Sequence, residues 1–361
     1  MQVNRAAPAP DQYCAARDQS LFLGRHGGPR FIPLRVVCIL MTGDSGTEPA
    51  RSKSPEGVFA ILGDETRLGI LQALGEADEP LSFSALYDRV EYDDTANFNY
   101  HLDKLAGHFV RETAEVYALR QAGQRIVEAI HSGVVTDDPV LERVPVDLPC
   151  PLCGTPMTVS YREENLVGLC SECRGTREGS NAPPSWPTET TDGIVGQVRI
   201  PPAGLHERTP TELVRAAEIW SASRGLAAAR GVCHNCAAPL EGTVRVCDDH
   251  DVSDGHCGAC GQQFRVTVHR SCTNCIAEWE SPVGQHLLAR TGVMEFLIDH
   301  GIDPLAPGGA HLAAIEESVR STDPFEGRFT FTLDGDALVL TVEGDLSVVD
   351  VTRRDATEPE H

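Results

Sequence analysis

Eleven of the thirteen cysteines lie beyond residue 149, and ten of these form five Cys-x-x-Cys pairs. Such a turn sets two thiols on one side of a tight bend. Four thiolates, or three thiolates and an imidazole, make the closed tetrahedral set that structural zinc prefers. Sixteen residues lie between the pair Cys150/Cys153 and the pair Cys170/Cys173, room for a two-stranded hairpin (Met157–Arg162 and Leu166–Leu169) that brings the pairs together. The second group reads Cys233/Cys236, Cys247/His250, Cys257/Cys260 and Cys272/Cys275, eight candidate ligands for two more ions. The chemistry expected is therefore Zn2+ at three sites.

Two pairings of the second group are open. A sequential one joins 233/236 to 247/250 and 257/260 to 272/275. A nested one joins 233/236 to 272/275 and 247/250 to 257/260. Chain geometry favours nesting: single strands over Gly242–Val246 and Gln263–Arg270 would pair antiparallel, with an ion at each end of the ribbon. His250 is the weakest ligand, with Asp248, Asp249 and Asp251 as substitutes; His234, His256 and His269 read as surface residues. Cys150-Pro-Leu-Cys153-Gly-Thr-Pro and Cys233-His-Asn-Cys236-Ala-Ala-Pro look like a repeat.

Metal is preferred to disulfides because the first 20 residues lack the apolar core of a secretory signal, and no run approaches the length of a membrane helix. The expectation is a cytoplasmic chain without membrane contact. Four protein ligands per ion leave no open position, so the zinc reads as scaffold, not catalyst. No Ser/His/Asp grouping or phosphate-cradling loop appears, and Glu163-Glu164 and Asp248-Asp249 read as solvated pairs; no enzyme is expected. The net charge is −23, and Lys53 and Lys104 are the only lysines among 30 basic residues. An acidic, lysine-poor surface suggests a halophilic protein, the alternative being an ordinary acidic protein from a GC-rich genome.

Several elements must position this chemistry. Residues 1–40 carry five arginines against Asp11 and Asp18, unlike the acidic remainder. The contrast predicts a natural start at Met41, with 1–54 disordered. Residues 55–133 show helical apolar spacing through Leu62, Leu68, Leu71 and Leu74, then helices from Ser82/Ser84 to Val90 and after Asp94. A weakly alternating 110–119 suits a two-stranded wing, and a helix follows over Gln121–Ile130. Residues 132–149 read as a linker, 146–180 as the first ribbon and 176–208 as loop. Residues 209–280 read as a helix from Pro210 with Leu213, Ala217 and Trp220 on one face, then the double ribbon. In 281–355, a small α+β terminal unit, helices are expected over 281–300 and 309–320, and strands around Asp334-Gly335-Asp336 and over Leu346–Val351.

Residues 55–131 resemble the winged helix-turn-helix of ArsR-type transcriptional regulators. The resemblance rests on Leu62-Gly-Asp-Glu-Thr-Arg67-Leu-Gly-Ile-Leu71, on Leu81-Ser-Phe-Ser84, and on Asn97-Phe-Asn-Tyr-His101-Leu-Asp-Lys104-Leu105. With the cysteine-rich rear, the chain is similar to haloarchaeal regulators of this type that carry carboxy-terminal zinc ribbons. The resemblance implies a multidomain α+β protein that binds double-stranded DNA as a homodimer, joined through Glu56–Leu62 and Gln121–Ile130. The helix around 95–106 would read the operator through Thr95, Asn97, Asn99 and Tyr100, while His101, Lys104 and the wing's Arg111 would meet phosphates. Two features depart from the pattern. Residues 51–131 hold 8 basic against 14 acidic side chains, and residues 51–149 contain no cysteine to sense a metal. Winged helix plus zinc ribbon also resembles archaeal transcription factor E, which makes an adaptor to RNA polymerase the alternative.

Overall fold

The computed structural model describes residues 54–176, 193–252, 257–304 and 315–354. The arginine-rich start, Met41 and His256 lie outside them. The architecture is mixed α+β, with four small antiparallel sheets.

The first group of elements runs α1 (Pro55–Leu62), α2 (Glu65–Gly75), β1 (Leu81–Ser82), α3 (Phe83–Val90), α4 (Thr95–Leu105), β2 (Val110–Thr113), β3 (Val116–Leu119) and α5 (Gln121–His131). Three helices start on side-chain caps. Asp64 accepts from the Arg67 N–H, Ser82 from Ala85, and Asp94 from both Ala96 and Asn97. Each cap satisfies a donor that the first turn leaves open, an effect of about 1 kcal/mol. Glu91 adopts φ 52 and ends α3, turning the chain toward α4. Strands β2 and β3 are joined by Ala114 and Glu115, both at positive φ, as a two-residue type I′ turn requires. Ile70, Leu71, Leu86, Phe98, Leu102, Leu105 and Phe109 form the core of this group. Gly123 of α5 must be glycine: a Cβ there would stand 2.4 Å from the Phe109 carbonyl oxygen.

The next sheet has the order β4-β5-β6-β7, from Leu141–Pro149, Pro156–Arg162, Asn165–Cys170 and Gly193–Arg199. The expected linker over 132–149 thus contains an edge strand. Proline is tolerated there because an edge strand leaves half its N–H groups unpaired anyway. The expected loop over 176–208 likewise contains β7 and a 3₁₀ turn at Pro202–Leu205. Glu163 and Glu164 form the β5–β6 turn, at φ 47 and 59. Helix α6 (Pro210–Ala229) opens with a capping box between Thr209 and Glu212. Its first half buries Leu213, Val214 and Ala217 in the core of this sheet. Trp220, expected on the same face, is 44 % exposed.

The rear holds β8 (Leu240–Val246), β9 (Val266–Cys272) and β10 (Glu278–Pro282) in one sheet, then α7 (Val283–Leu287) and α8 (Thr291–Asp299). A final meander follows: β11 (Ile315–Thr322), β12 (Phe325–Leu333), β13 (Asp336–Glu343) and β14 (Val348–Arg354). The helix expected over 309–320 is strand β11 from Ile315 onward. Its Ala/Glu-rich composition favours helix, but Ile315, Glu317 and Val319 alternate inward along a paired strand. The terminal unit does not stand alone either. Val266 and Val268 of β9 share one core with Val283, Leu287, Phe296, Phe329 and Leu340. No described helix is long and apolar enough to cross a membrane.

Candidate metal centres and the exposed face of α4

The cysteines converge on three clusters, each with its four candidate ligand atoms within 4.8 Å of one another. In the first, Cys150 leaves β4 and Cys170 ends β6. Cys150 Sγ lies 3.6 Å from Cys173 Sγ, and Cys153 Sγ lies 3.5 Å from Cys170 Sγ. The Thr155 hydroxyl stands 3.0 Å from the Cys153 sulfur and 3.3 Å from that of Cys170.

The second group is nested. Cys233 meets Cys275 at 3.7 Å and Cys236 meets Cys272 at 3.5 Å. At the other end, Cys247 meets Cys257 at 3.8 Å, and Cys260 Sγ stands 3.6 Å from Nδ1 of His250. The β8–β9 register runs from Leu240↔Cys272 to Val246↔Val266, so one ribbon separates the clusters. Asp248, Asp249 and Asp251 are not among the grouped ligands. His234 and His269 are half-buried rather than surface residues: His234 packs against the Trp279 ring at 6.0 Å.

Local backbone explains why Cys-x-x-Cys builds these bends. The Gly154 N–H donates to the Cys150 carbonyl, Ala237 to Cys233 and Gly261 to Cys257, at 2.7–2.8 Å. Each cysteine returns an N–H to the chain beyond the turn: Cys150 to Thr155, Cys233 to Ala238, Cys257 to Gln262 and Cys272 to Ala277. Gly154, Ala237 and Gly261 sit at φ 78, 60 and 66, the left-handed region that glycine enters most easily. The N–H groups of Asn274 and Cys275 point at the Cys272 sulfur, 3.4 Å away. A glycine straight after the second cysteine signals this geometry at Gly154 and Gly261, whereas Ala237 adopts it without that signal.

The donor sets fit a thiophilic ion. Tetrahedral zinc with bonds of ~2.3 Å places its sulfurs about 3.8 Å apart, close to the separations above. The N–H groups of Cys275 and Asn274 hold Cys272 down to about 6. Against the Ala277 N–H, burial and the neighbouring thiols push Cys275 up to about 12. In the third cluster the Asp251 N–H leads in holding Cys257 down to about 6, while burial and the Cys260 and Cys257 thiols push Cys247 up to about 12. Thiols packed this closely ionise together only against a cation. Cys150, Cys153, Cys170 and Cys173 would hold one ion; Cys233, Cys236, Cys272 and Cys275 a second; Cys247, His250, Cys257 and Cys260 a third.

The other expected contact residues lie on α4 and β2. Thr95, Asn97, Asn99, Tyr100 and Lys104 are exposed along α4, opposite the buried Phe98, Leu102 and Leu105; Arg111 is exposed on β2. Asn97 donates Nδ2–H to the Tyr92 hydroxyl at 2.6 Å, and Lys104 Nζ stands 5.0 Å from the Tyr100 ring centre. His101 differs from expectation. It is 8 % exposed, with Nδ1 3.3 Å from the Asp64 carboxylate. Phe98, His101, Leu102 and Leu105 follow the i, i+3, i+4, i+7 stripe, so His101 faces inward and cannot meet a phosphate.

Fold and sites together define a mixed α+β protein with three four-ligand clusters able to hold metal. The chain belongs to the family described as Domain of unknown function (DUF7351), whose model matches residues 147–348. A second model, Domain of unknown function (DUF7347), matches residues 55–130, the span of α1 to α5. No curated protein and no solved structure matches the chain.

Proposed function

We propose that the protein is a DNA-binding transcriptional regulator in which residues 55–131 act as a winged helix-turn-helix and zinc is the scaffold metal. The observation that carries this reading is α4. It follows α3 after a tight turn, is capped by Asp94, and buries one face while showing Thr95, Asn97, Asn99, Tyr100 and Lys104 to solvent. Asn reads adenine edges and Lys meets phosphate. The β2–β3 hairpin beside it is the wing, with Arg111 outward. A homodimer is the proposed state, since α1 has no buried residue and leaves Phe59 70 % exposed.

Footprinting on genomic fragments at graded salt tests the reading. A protected two-fold site that Asn99→Ala weakens by about 1–3 kcal/mol is expected. Binding that is indifferent to Asn99 and Lys104 would remove the proposal. One observation favours a second reading, an adaptor to RNA polymerase. Ile276, directly after Cys275, is fully exposed, as befits a side chain that docks on another protein. Polymerase that co-purifies with wild type but not with Ile276→Asp, without an operator footprint, would select it.

A further inference from the structure

A group of positive side chains lies behind the second cluster, and the carboxylate whose field reaches it is that of Asp345, near Arg290. Arg230 caps the end of α6 and donates Nη2–H to the Ala289 carbonyl at 2.9 Å. Arg290 precedes α8 and donates to the Leu346 carbonyl at 2.6 Å. Arg270 of β9 lies across Gly242 of β8, where a Cβ would stand 3.1 Å from Arg270 Cγ and 3.6 Å from Cζ. His286 of α7 is 5 % exposed, and the fields of Arg270, Arg290 and Arg230 converge on it. Both His286 Nε2 and Arg270 Nε are buried without a hydrogen-bond partner.

Among the described residues no Asp or Glu forms an ion pair with any of the three arginines. Yet acidic residues outnumber basic ones 53 to 30 along the chain. Each guanidinium offers five N–H donors, and the two hydrogen bonds above leave most of them unspent. Like charges crowded beside a buried imidazole repel, and an anion among them turns that repulsion into attraction. Guanidinium forks match the paired oxygens of a tetrahedral oxyanion.

We propose that Arg230, Arg270, Arg290 and His286 form a binding site for a small oxyanion of the phosphate class, either inorganic phosphate or the phosphoryl end of a small phosphomonoester. The site joins the end of α6, strand β9 and the α7–α8 junction. Arg270 stands two residues before Cys272 and Arg230 three before Cys233, so an occupant would brace the second cluster from behind. The site is independent of any DNA contact on α4.

Titration calorimetry of the full, metal-loaded chain with inorganic phosphate, at constant chloride-adjusted ionic strength, tests this. One phosphate per chain is expected. Arg270→Gln and Arg290→Gln should each weaken binding at least about tenfold, from the loss of charge-assisted hydrogen bonds. Arg125→Gln on α5 should leave it unchanged. Each variant is first checked for wild-type metal content; if Arg270→Gln fails that check, Arg290→Gln and Arg270→Lys carry the test. Glycerol phosphate that displaces inorganic phosphate identifies a phosphomonoester site, and failure to displace identifies an inorganic one. The proposal is overturned by absence of saturable binding, by equal displacement with chloride, by unchanged binding in the arginine variants, or by binding of oligonucleotide alone.

Discussion

Nε2 of His250 lies 3.2 Å from the backbone carbonyl of Gln263, and this contact decides which nitrogen faces the third cluster. A carbonyl only accepts, so Nε2 carries the proton and the lone pair stays on Nδ1, the atom 3.6 Å from Cys260 Sγ. Carbonyl support of a metal-bound imidazole fixes ring orientation and raises its basicity. Glu317 of β11 holds the next stretch in place by accepting the N–H groups of Arg265 and Val266 at 2.7 and 3.2 Å. The third cluster is thereby tied to the last sheet.

His250→Ala should therefore remove one metal equivalent and leave the other two, while His250→Cys should restore it with a fourth thiolate. Elemental analysis after gel filtration reads the ratio directly. Metal content unchanged in His250→Ala would mean that an aspartate, or nothing, completes the site. Apparent zinc-binding free energies of roughly 10–16 kcal/mol in finger peptides imply that the ribbon end between Cys247 and Cys260 unfolds locally in that variant. Faster amide exchange at Val246 and Arg265 should report it.

Asp64 does three jobs, capping α2 through the Arg67 N–H, pairing with the Arg67 guanidinium at 3.6 Å and facing His101. Asp64→Ala should cost about 1–2 kcal/mol from the cap alone. Asp64→Asn keeps a capping oxygen and removes the charge beside both Arg67 and His101. Denaturant melts of the two variants separate the roles. Equal losses would show that the charge matters and the cap does not.

On DNA the two polar residues of α4 that are spaced like phosphate contacts should behave differently. Lys104→Ala should lower the dependence of log affinity on log salt by about 1, because one phosphate contact is lost. His101→Gln should leave that slope unchanged, since the ring is turned into the core. A slope that falls equally in both variants would contradict the placement of His101.

How much of this was legible depended on range. Cys-x-x-Cys turns write their geometry into four consecutive residues, and the strand lengths between them already favoured nesting. The caps at Asp64, Asp94 and Thr209 likewise form within three residues of sequence. His101 belongs both to the motif Asn97–Leu105 and to the buried stripe of α4, and the stripe decides where its ring points. Strands β4, β7 and β11 are not legible locally because their pairing partners lie elsewhere in the chain: Pro145 looks like a linker until β5 makes its strand an edge, and Ile315–Thr322 looks helical until β12 pairs with it. Gln263 and Glu317 were invisible for the same reason. A backbone carbonyl has no residue type to recognise, and Glu317 meets β9 only after the last sheet docks.

His286 gives a prediction in pH. Burial, followed by the charges of Arg270, Arg290 and Arg230, lowers its pKa from 6.5 to about 4 in the fold. The unfolded chain then binds a proton that the folded chain refuses between those values. Stability therefore falls as pH drops from 6.5 toward 4 and is unaffected by this group above 6.5. A shift of that size corresponds to about 3 kcal/mol across the window. The metal thiolates also protonate in acid, so the informative quantity is the difference between wild type and His286→Gln. Denaturant melts in phosphate-free buffer should show the two converging below pH 6.5, with the variant losing about 3 kcal/mol less by pH 4. Parallel curves would mean that His286 stays protonated in the fold, with the arginines too far away or already neutralised.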